Sequence, residues 1–441
     1  MNEILIKILQ LLLSISILVL IHELGHFLFA RLFKIRVEKF YIFFNPWFSL
    51  FKKKIGDTEY GIGWLPLGGY VKISGMIDES YDKKFLNEPP KPYEFRSKPP
   101  FQRLIVLLGG IFFNIILAIS IFSLLLLFKG EKYLPNDSLK YGIMTNHIGE
   151  SIGLKNGDFI LSINNKPIDN FNDIVLSLVL DKTTFIKVKR DTQILYIPIT
   201  NKIKSEIIKN PFFIEPRIPF IIDSLLENSP AKIAGLKPGD QIIKINDTTT
   251  FFFDEVKSFL ENKKNQKVKI TILRNNKDTL NFYVNVNKEG KIGVIALFNY
   301  EKFFKLNTIK YNILTCIPAG ISKTYRISIN YLKQFKLLFM PEIKAYESVG
   351  GFISIGKIFP KKWDWESFFT ITGFLSVILA IMNFLPIPGL DGGHTLFVLY
   401  EIITGKQPSP KFLEYAQTIG LAIILLIILY ANINDIIKLF N

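Results

Sequence analysis

The chain has 441 residues, 49% of them hydrophobic and 40 of them Phe, with a mean hydropathy of +0.27 and a formal net charge of +16. It is too long for one ordinary domain, and its hydropathy points to a membrane protein. The single cysteine, Cys316, excludes a disulfide-stapled fold, and the scattered basic residues suit an anionic lipid surface rather than nucleic acid, for which no module is present.

The first apolar run covers residues 4–33. Lys7 ahead of an apolar stretch also fits a signal peptide. The run outlasts such a core, however, and His22, Glu23 and His26 interrupt it with no small-residue cleavage pattern, so it is expected to remain as a membrane span. These three belong to His22-Glu23-Leu24-Gly25-His26. On a helix, positions i and i+4 share a face, so two imidazoles so spaced can hold one zinc ion while the intervening Glu reaches a zinc-bound water. Three ionisable groups inside hydrocarbon are costly, which favours a functional site over chance or a plain interhelical polar contact.

Further apolar runs cover residues 103–128, 368–385 and 419–433, each near the roughly 20 residues a helix needs to cross the hydrocarbon. The loop between the first two runs carries Arg31, Lys34, Arg36, Lys39, Lys52, Lys53, Lys54, Arg96, Lys98 and Arg103 near the membrane ends, against Lys7 on the N-terminal flank. That bias puts the loop and the His22–His26 motif toward the cytoplasm, and residues 129–366 with both termini outside.

The outer region contains a repeat. Gly153-Leu154-Lys155-Asn156-Gly157-Asp158 precedes the strand-like Phe159–Ile163, and Gly235-Leu236-Lys237-Pro238-Gly239-Asp240 precedes Gln241–Ile245. Each copy continues with an expected helix (residues 172–180 and 254–260) and a β-rich stretch. A period of about 80 residues is too long for a solenoid unit and fits two small tandem domains. Both resemble PDZ domains, the second more closely because Asn228-Ser229-Pro230-Ala231 leads into it. Such domains commonly take an extended peptide as an added strand, and a spacer or steric gate is the alternative. Residues 306–340 space apolar residues helically among Lys and Arg, as expected of an amphipathic surface helix or of one packed on the second repeat.

The third span ends in Asn383-Phe384-Leu385-Pro386-Ile387-Pro388-Gly389-Leu390-Asp391-Gly392-Gly393-His394. The prolines break the helix at membrane depth, where irregular backbone is tolerated if it lines a cavity. A catalytic zinc usually has three protein ligands, and Asp391 is the evident third; a surface turn leaving the membrane is the competing account.

Together these motifs resemble the site-2 protease family of intramembrane zinc metalloproteases, in its bacterial RseP-type branch with two PDZ domains, over nearly the whole chain. The resemblance implies a polytopic α-helical membrane protein with four transmembrane helices, a membrane-associated β-hairpin loop and two tandem PDZ-like α/β domains. It implies one zinc ion on His22, His26 and Asp391, Glu23 as general base, and Asn383 placed to position substrate or stabilise the intermediate. His394 also matches but is not assigned to zinc. Pro66-Leu67-Gly68-Gly69-Tyr70-Val71-Lys72 matches the family's hairpin loop, making Gly68, Gly69 and Tyr70 candidate contacts for an unwound substrate, although the Gly pair also suits an ordinary turn. Ile111 and Phe352 replace family prolines, and Asn114 is placed to hydrogen-bond near the site. The implied organisation is 1–128, with the first two spans and the hairpin loop; 129–205 and 206–298, the PDZ-like domains; 299–365, amphipathic; and 366–441, the last two spans. The expected partners are the lipid bilayer and transmembrane substrates already trimmed by another protease, such as anti-sigma factor stubs or remnant signal peptides. The expected location is a bacterial inner membrane with periplasmic PDZ-like domains. A non-enzymatic PDZ-bearing receptor and a polytopic transporter are the rival functions; an intact Glu23 speaks against the first, and four spans without a membrane repeat speak against the second.

Overall fold

The structure, a computed structural model, describes residues 3–66, 68–76, 89–275 and 277–440. Four of its helices are long and apolar enough to cross a membrane: α1 (Glu3–Leu32), α2 (Pro100–Lys129), a third span (Trp365–Phe384) and a fourth (Lys411–Phe440). The fourth is longer than the apolar run at 419–433, because its helix continues through polar residues at both ends. Its apolar side chains stay largely exposed, Leu425 at 64% and Leu426 at 65%, as a lipid-facing surface requires.

The chain divides into two compact units. The first comprises residues 1–130, 310–336 and 346–441. Here α2 is the central element, packing against α1, the third span and a shorter helix, Asp391–Thr404. Polar side chains tie the helices where apolar contact alone gives no preference in lipid: Thr372 Oγ1 donates to Ser14 Oγ at 3.0 Å and Ser376 Oγ donates to the Asn114 carbonyl at 2.7 Å. The tightest crossing is at Gly25 and Gly109. A Cβ on Gly25 would lie 2.3 Å from the Gly109 carbonyl oxygen. The helix runs unbroken through Ile111, so its replacement of proline leaves a regular span. Phe352 is the first residue of a short helix, Phe352–Ile358, where a proline would also be accommodated.

Between α1 and α2 lie four strands, β1 (Val37–Tyr41), β2 (Phe44–Ile55), β3 (Thr58–Leu65) and β4 (Tyr70–Ile73), in the order β2-β3-β1-β4. The hairpin expected around 66–72 is thus displaced. The hairpin proper is β2-β3, and Gly68-Gly69 instead leads into β4, which pairs antiparallel with β1 at the sheet edge. Leu67 lies outside the described residues. A Cβ on Gly69 would approach the Tyr41 carbonyl oxygen to 2.5 Å, so a glycine is needed for β4 to reach β1. The expected amphipathic helix is Ile313–Leu337, with Pro318 inside it and Ile313, Leu314 and Ile317 exposed.

The second unit comprises residues 131–309 and 337–345. It holds two apolar cores, one per sequence repeat, around Ile160, Ile174 and Ile186 and around Ile242, Val256 and Ile270. The helices Asp173–Leu180 and Phe253–Glu261 fall where the sequence predicts them. Both repeats use the same turn. The buried Asp158 and Asp240 accept from the backbone N–H of Lys155 and Lys237 and from both forks of Arg190 and Arg274. Paired strands Glu131–Tyr133 and Asn307–Ile309 close the unit where the chain enters and leaves.

Candidate active site

His22 and His26 face the same side of α1, buried to 8% and 5% exposure, one helical turn apart. The third span stops at Phe384, since Leu385 precedes Pro386 and takes extended backbone. Gly389, at a φ of +100°, then turns the chain so that Asp391 opens the following helix, where its carboxylate is favoured by the helix dipole. The result is a triangle of donor atoms. His22 Nε2 lies 3.1 Å and His26 Nε2 3.2 Å from Asp391 Oδ2, and the two Nε2 atoms are 3.3 Å apart. Asp391 Oδ2 is buried and receives no well-directed hydrogen bond, although both imidazoles adjoin it. Four tetrahedral ligands about 2.0–2.1 Å from a zinc ion would sit roughly 3.3–3.4 Å from one another, so the triangle has the size of one face of that tetrahedron.

The other ring nitrogens are engaged by α2. His26 Nδ1 is 2.8 Å from the Val106 carbonyl oxygen, which accepts its proton and leaves Nε2 with a free lone pair. His22 Nδ1 is 3.1 Å from the side-chain amide of Asn114, a residue with no exposed surface. Gly110 is what lets α2 come this close: a Cβ there would lie 2.5 Å from both His22 Cε1 and His26 Nε2.

The triad opens on a cavity of about 420 Å³. Glu23, Asn383 and His394 join its wall, together with Gly69 and the length of β4. Among the described residues β4 has β1 on one side and no strand on the other. Tyr70, also in the cavity wall, stacks on Tyr41 at 5.3 Å and its hydroxyl donates to Asn45 Oδ1, so its ring is held by the sheet. Gly68 sits behind, under the Phe44 ring. The structure therefore brings together His22, Glu23, His26, Asp391, Asn383, Gly69 and Tyr70, and leaves Gly68 out of the cavity wall.

A family model for peptidase family M50 matches residues 10–427. The chain belongs to that family. The M50 peptidases are site-2 proteases, and this protease is a zinc metalloendopeptidase that acts on membrane proteins within the membrane. Similar proteins include one named as a candidate zinc metalloprotease from Treponema pallidum, 27% identical over 99% of this chain and all of that one. A protein of the same name from Borreliella burgdorferi is 29% identical over 97% of this chain and 98% of its own. The regulator of sigma E protease of Haemophilus influenzae is 28% identical over 97% of each chain.

Val106 and Gln417 of the M50 protease carry no signal of their place in the sequence, and Gly110, which matches a glycine of the family pattern ending at Asn114, does not there reveal the close approach it permits. A backbone carbonyl leaves no trace in side-chain identity. The adjacent Gly109-Gly110 in an apolar helix was the available signal for a close crossing.

Proposed function

We propose that His22, His26 and Asp391 hold the zinc through Nε2, Nε2 and Oδ2, and that Glu23 is the general base for peptide hydrolysis. The carrying observation is the 3.1, 3.2 and 3.3 Å triangle of two imidazole nitrogens and one carboxylate oxygen. Bound there, zinc would supply a Lewis acid that polarises the scissile carbonyl and acidifies water. Glu23, on the same helix and in the same cavity, takes the water's proton and later delivers it to the leaving amine. Asn114 Nδ2 stands 3.1 Å from His22 Nδ1 while its Oδ1 is buried without a partner; turning that amide by 180° would set Oδ1 against a His22 Nδ1–H and leave Nε2 free to coordinate. Asn383, on the cavity wall, is placed to donate to the substrate carbonyl.

A transmembrane helix keeps its carbonyls hydrogen-bonded, so the substrate must unwind before attack. The edge of β4 away from β1, which among the described residues pairs with no strand, offers an extended segment a main-chain partner. The basic loop between α1 and α2 supports an orientation with the site toward the cytoplasm of a bacterial inner membrane, and both termini and the two-core unit in the periplasm. The matching Asp–Arg turns support reading that unit as tandem PDZ-like domains, which would exclude full-length proteins and admit stubs such as trimmed anti-sigma factors or remnant signal peptides. The Haemophilus relative's name accords with this substrate class. A non-enzymatic receptor would have no use for Glu23 beside the triad.

The test compares wild type with Glu23→Gln in detergent, using a single-span model protein with a Gly-Ser pair at mid-span. The variant should keep its zinc and lose cleavage by about 100-fold or more. Undiminished cutting by Glu23→Gln would refute the assignment.

A further inference from the structure

A second cavity, about 270 Å³, adjoins the first. Three residues line both: Met76, His394 and Gln417. Gln417 is the unexpected one. It lies in the fourth span, is 2% exposed, and lines both cavities. A primary amide in a membrane span is costly unless a polar group meets it, and an apolar side chain would escape that cost. Its position is also fixed. Gly420 and Leu421, one turn further along the same helix face, rest on the loop that carries Asp391: a Cβ on Gly420 would strike the Pro388 carbonyl oxygen, and Leu421 packs on Gly389. The fourth span therefore presents Gln417 to the junction of the two cavities. Beyond it the second cavity is walled by Phe95, Leu107, Phe397 and Leu413, with Arg96, Gln407 and the paired Arg103 and Glu401 also in its lining.

We infer that Gln417 is a substrate-positioning residue, whose amide hydrogen-bonds the main chain of the unwound peptide as it passes from the catalytic cavity into the second one. This rests on the proteolytic reading above and adds to it a contact on the fourth span. A primary amide offers N–H donors and a carbonyl acceptor side by side, the complement of a peptide group. An unwound segment in an apolar setting brings unpaired N–H and C=O groups that need such partners. The edge of β4 can satisfy one side of an extended strand, and Gln417 serves a peptide group that has left that edge. The apolar walls beyond suit the side chains of a transmembrane segment.

The test uses the full-length protein in detergent and the same single-span model protein, dye-labelled. Gln417→Met keeps length and volume but removes both hydrogen-bonding groups. It should raise KM about tenfold and leave kcat within about twofold, with Gln417→Asn recovering part of the loss. In a Glu23→Gln background, where the probe stays whole, Gln417→Met should weaken its binding by the same factor. Zinc content and melting temperature should not move; if Met at this site lowers them, Gln417→Glu, which keeps polarity and an acceptor but loses the donor, gives the same KM and binding readouts. Unchanged KM and binding, or a loss that merely follows melting temperature and zinc content, would overturn the inference. Failure of the underlying reading looks different: Glu23→Gln would cut as well as wild type, whatever stands at 417.

Discussion

At the scale of single residues, the proposed zinc site rests on groups packed behind its two imidazoles. Asn114 is held on α2 with no exposure, 3.1 Å from His22 Nδ1, and its main chain is anchored by Ser376. Losing the partner that orients a ligating histidine typically costs 10–100-fold in metal affinity. Asn114→Ala should therefore release zinc to a chelator at about 10- to 100-fold lower competitor concentration, with the helices otherwise intact. The motif His22-Glu23-Leu24-Gly25-His26 was legible because helical periodicity alone puts two imidazoles on one face. Asn114 was legible through the family resemblance as a residue placed to hydrogen-bond near the site; which ring nitrogen it meets depends on the rotation of α2 against α1.

At the scale of elements, the crossing of α1 and α2 sets the distance between the imidazoles and their braces. Gly25 lies within the zinc-motif turn and its Cα faces the Gly109 carbonyl. Gly25→Ala drives a methyl group to 2.3 Å from that oxygen, so the helices must separate. The expected result is lost zinc retention together with lost cleavage, read by metal analysis of the purified variant, while Gly405→Ala, with open space around it but a positive φ, should cost stability without touching zinc. In the two-core unit, burial pushes the Glu215 carboxyl above its ordinary value, with Lys257 pulling it partly back. Tyr300 is pushed up to about 12 by burial and by Glu215. A raised acid contributes stability that is full below its unfolded value and is lost as pH rises through its folded one. Glu215→Gln should thus raise the melting temperature of this unit near pH 8, with the gap closing below the usual 4.5. The strands and helices of the repeats were readable from Gly, Asn and apolar alternation. The sheet after α1 was not: β4 pairs with β1 rather than with its chain neighbour β3, a choice that lies in long-range pairing and in Gly69's fit against Tyr41.

At the scale of the molecule, Asp391, the proposed ligand from the far end of the chain, must be held in register with the first helix. The helix Asp391–Thr404 carries Asp391 at one end and Glu401 near the other, and Glu401 accepts from Arg103 Nη2 at the start of α2. Both side chains are about nine-tenths buried. Glu401→Ala leaves the Arg103 charge buried and unpaired, an effect of about 3–5 kcal/mol. It should lower the melting temperature and weaken zinc retention together, although Glu401 touches neither metal nor substrate; Glu401→Gln, which still accepts a hydrogen bond, should do less.

The sequence by itself determined the class of solvent, the four spans, the two repeats, and the imidazole pair with its intervening carboxylate. All of these follow from local rules: apolar length against bilayer thickness, turn chemistry, and 3.6 residues per turn. Only the tertiary structure decided that Asp391 reaches that pair, that β4 and not a hairpin tip borders the cavity, that Val106 and Asn114 meet the other ring nitrogens, and that Gln417 opens onto the junction. Those contacts join residues far apart in the chain, and their geometry is set by how closely glycine-lined helices can approach.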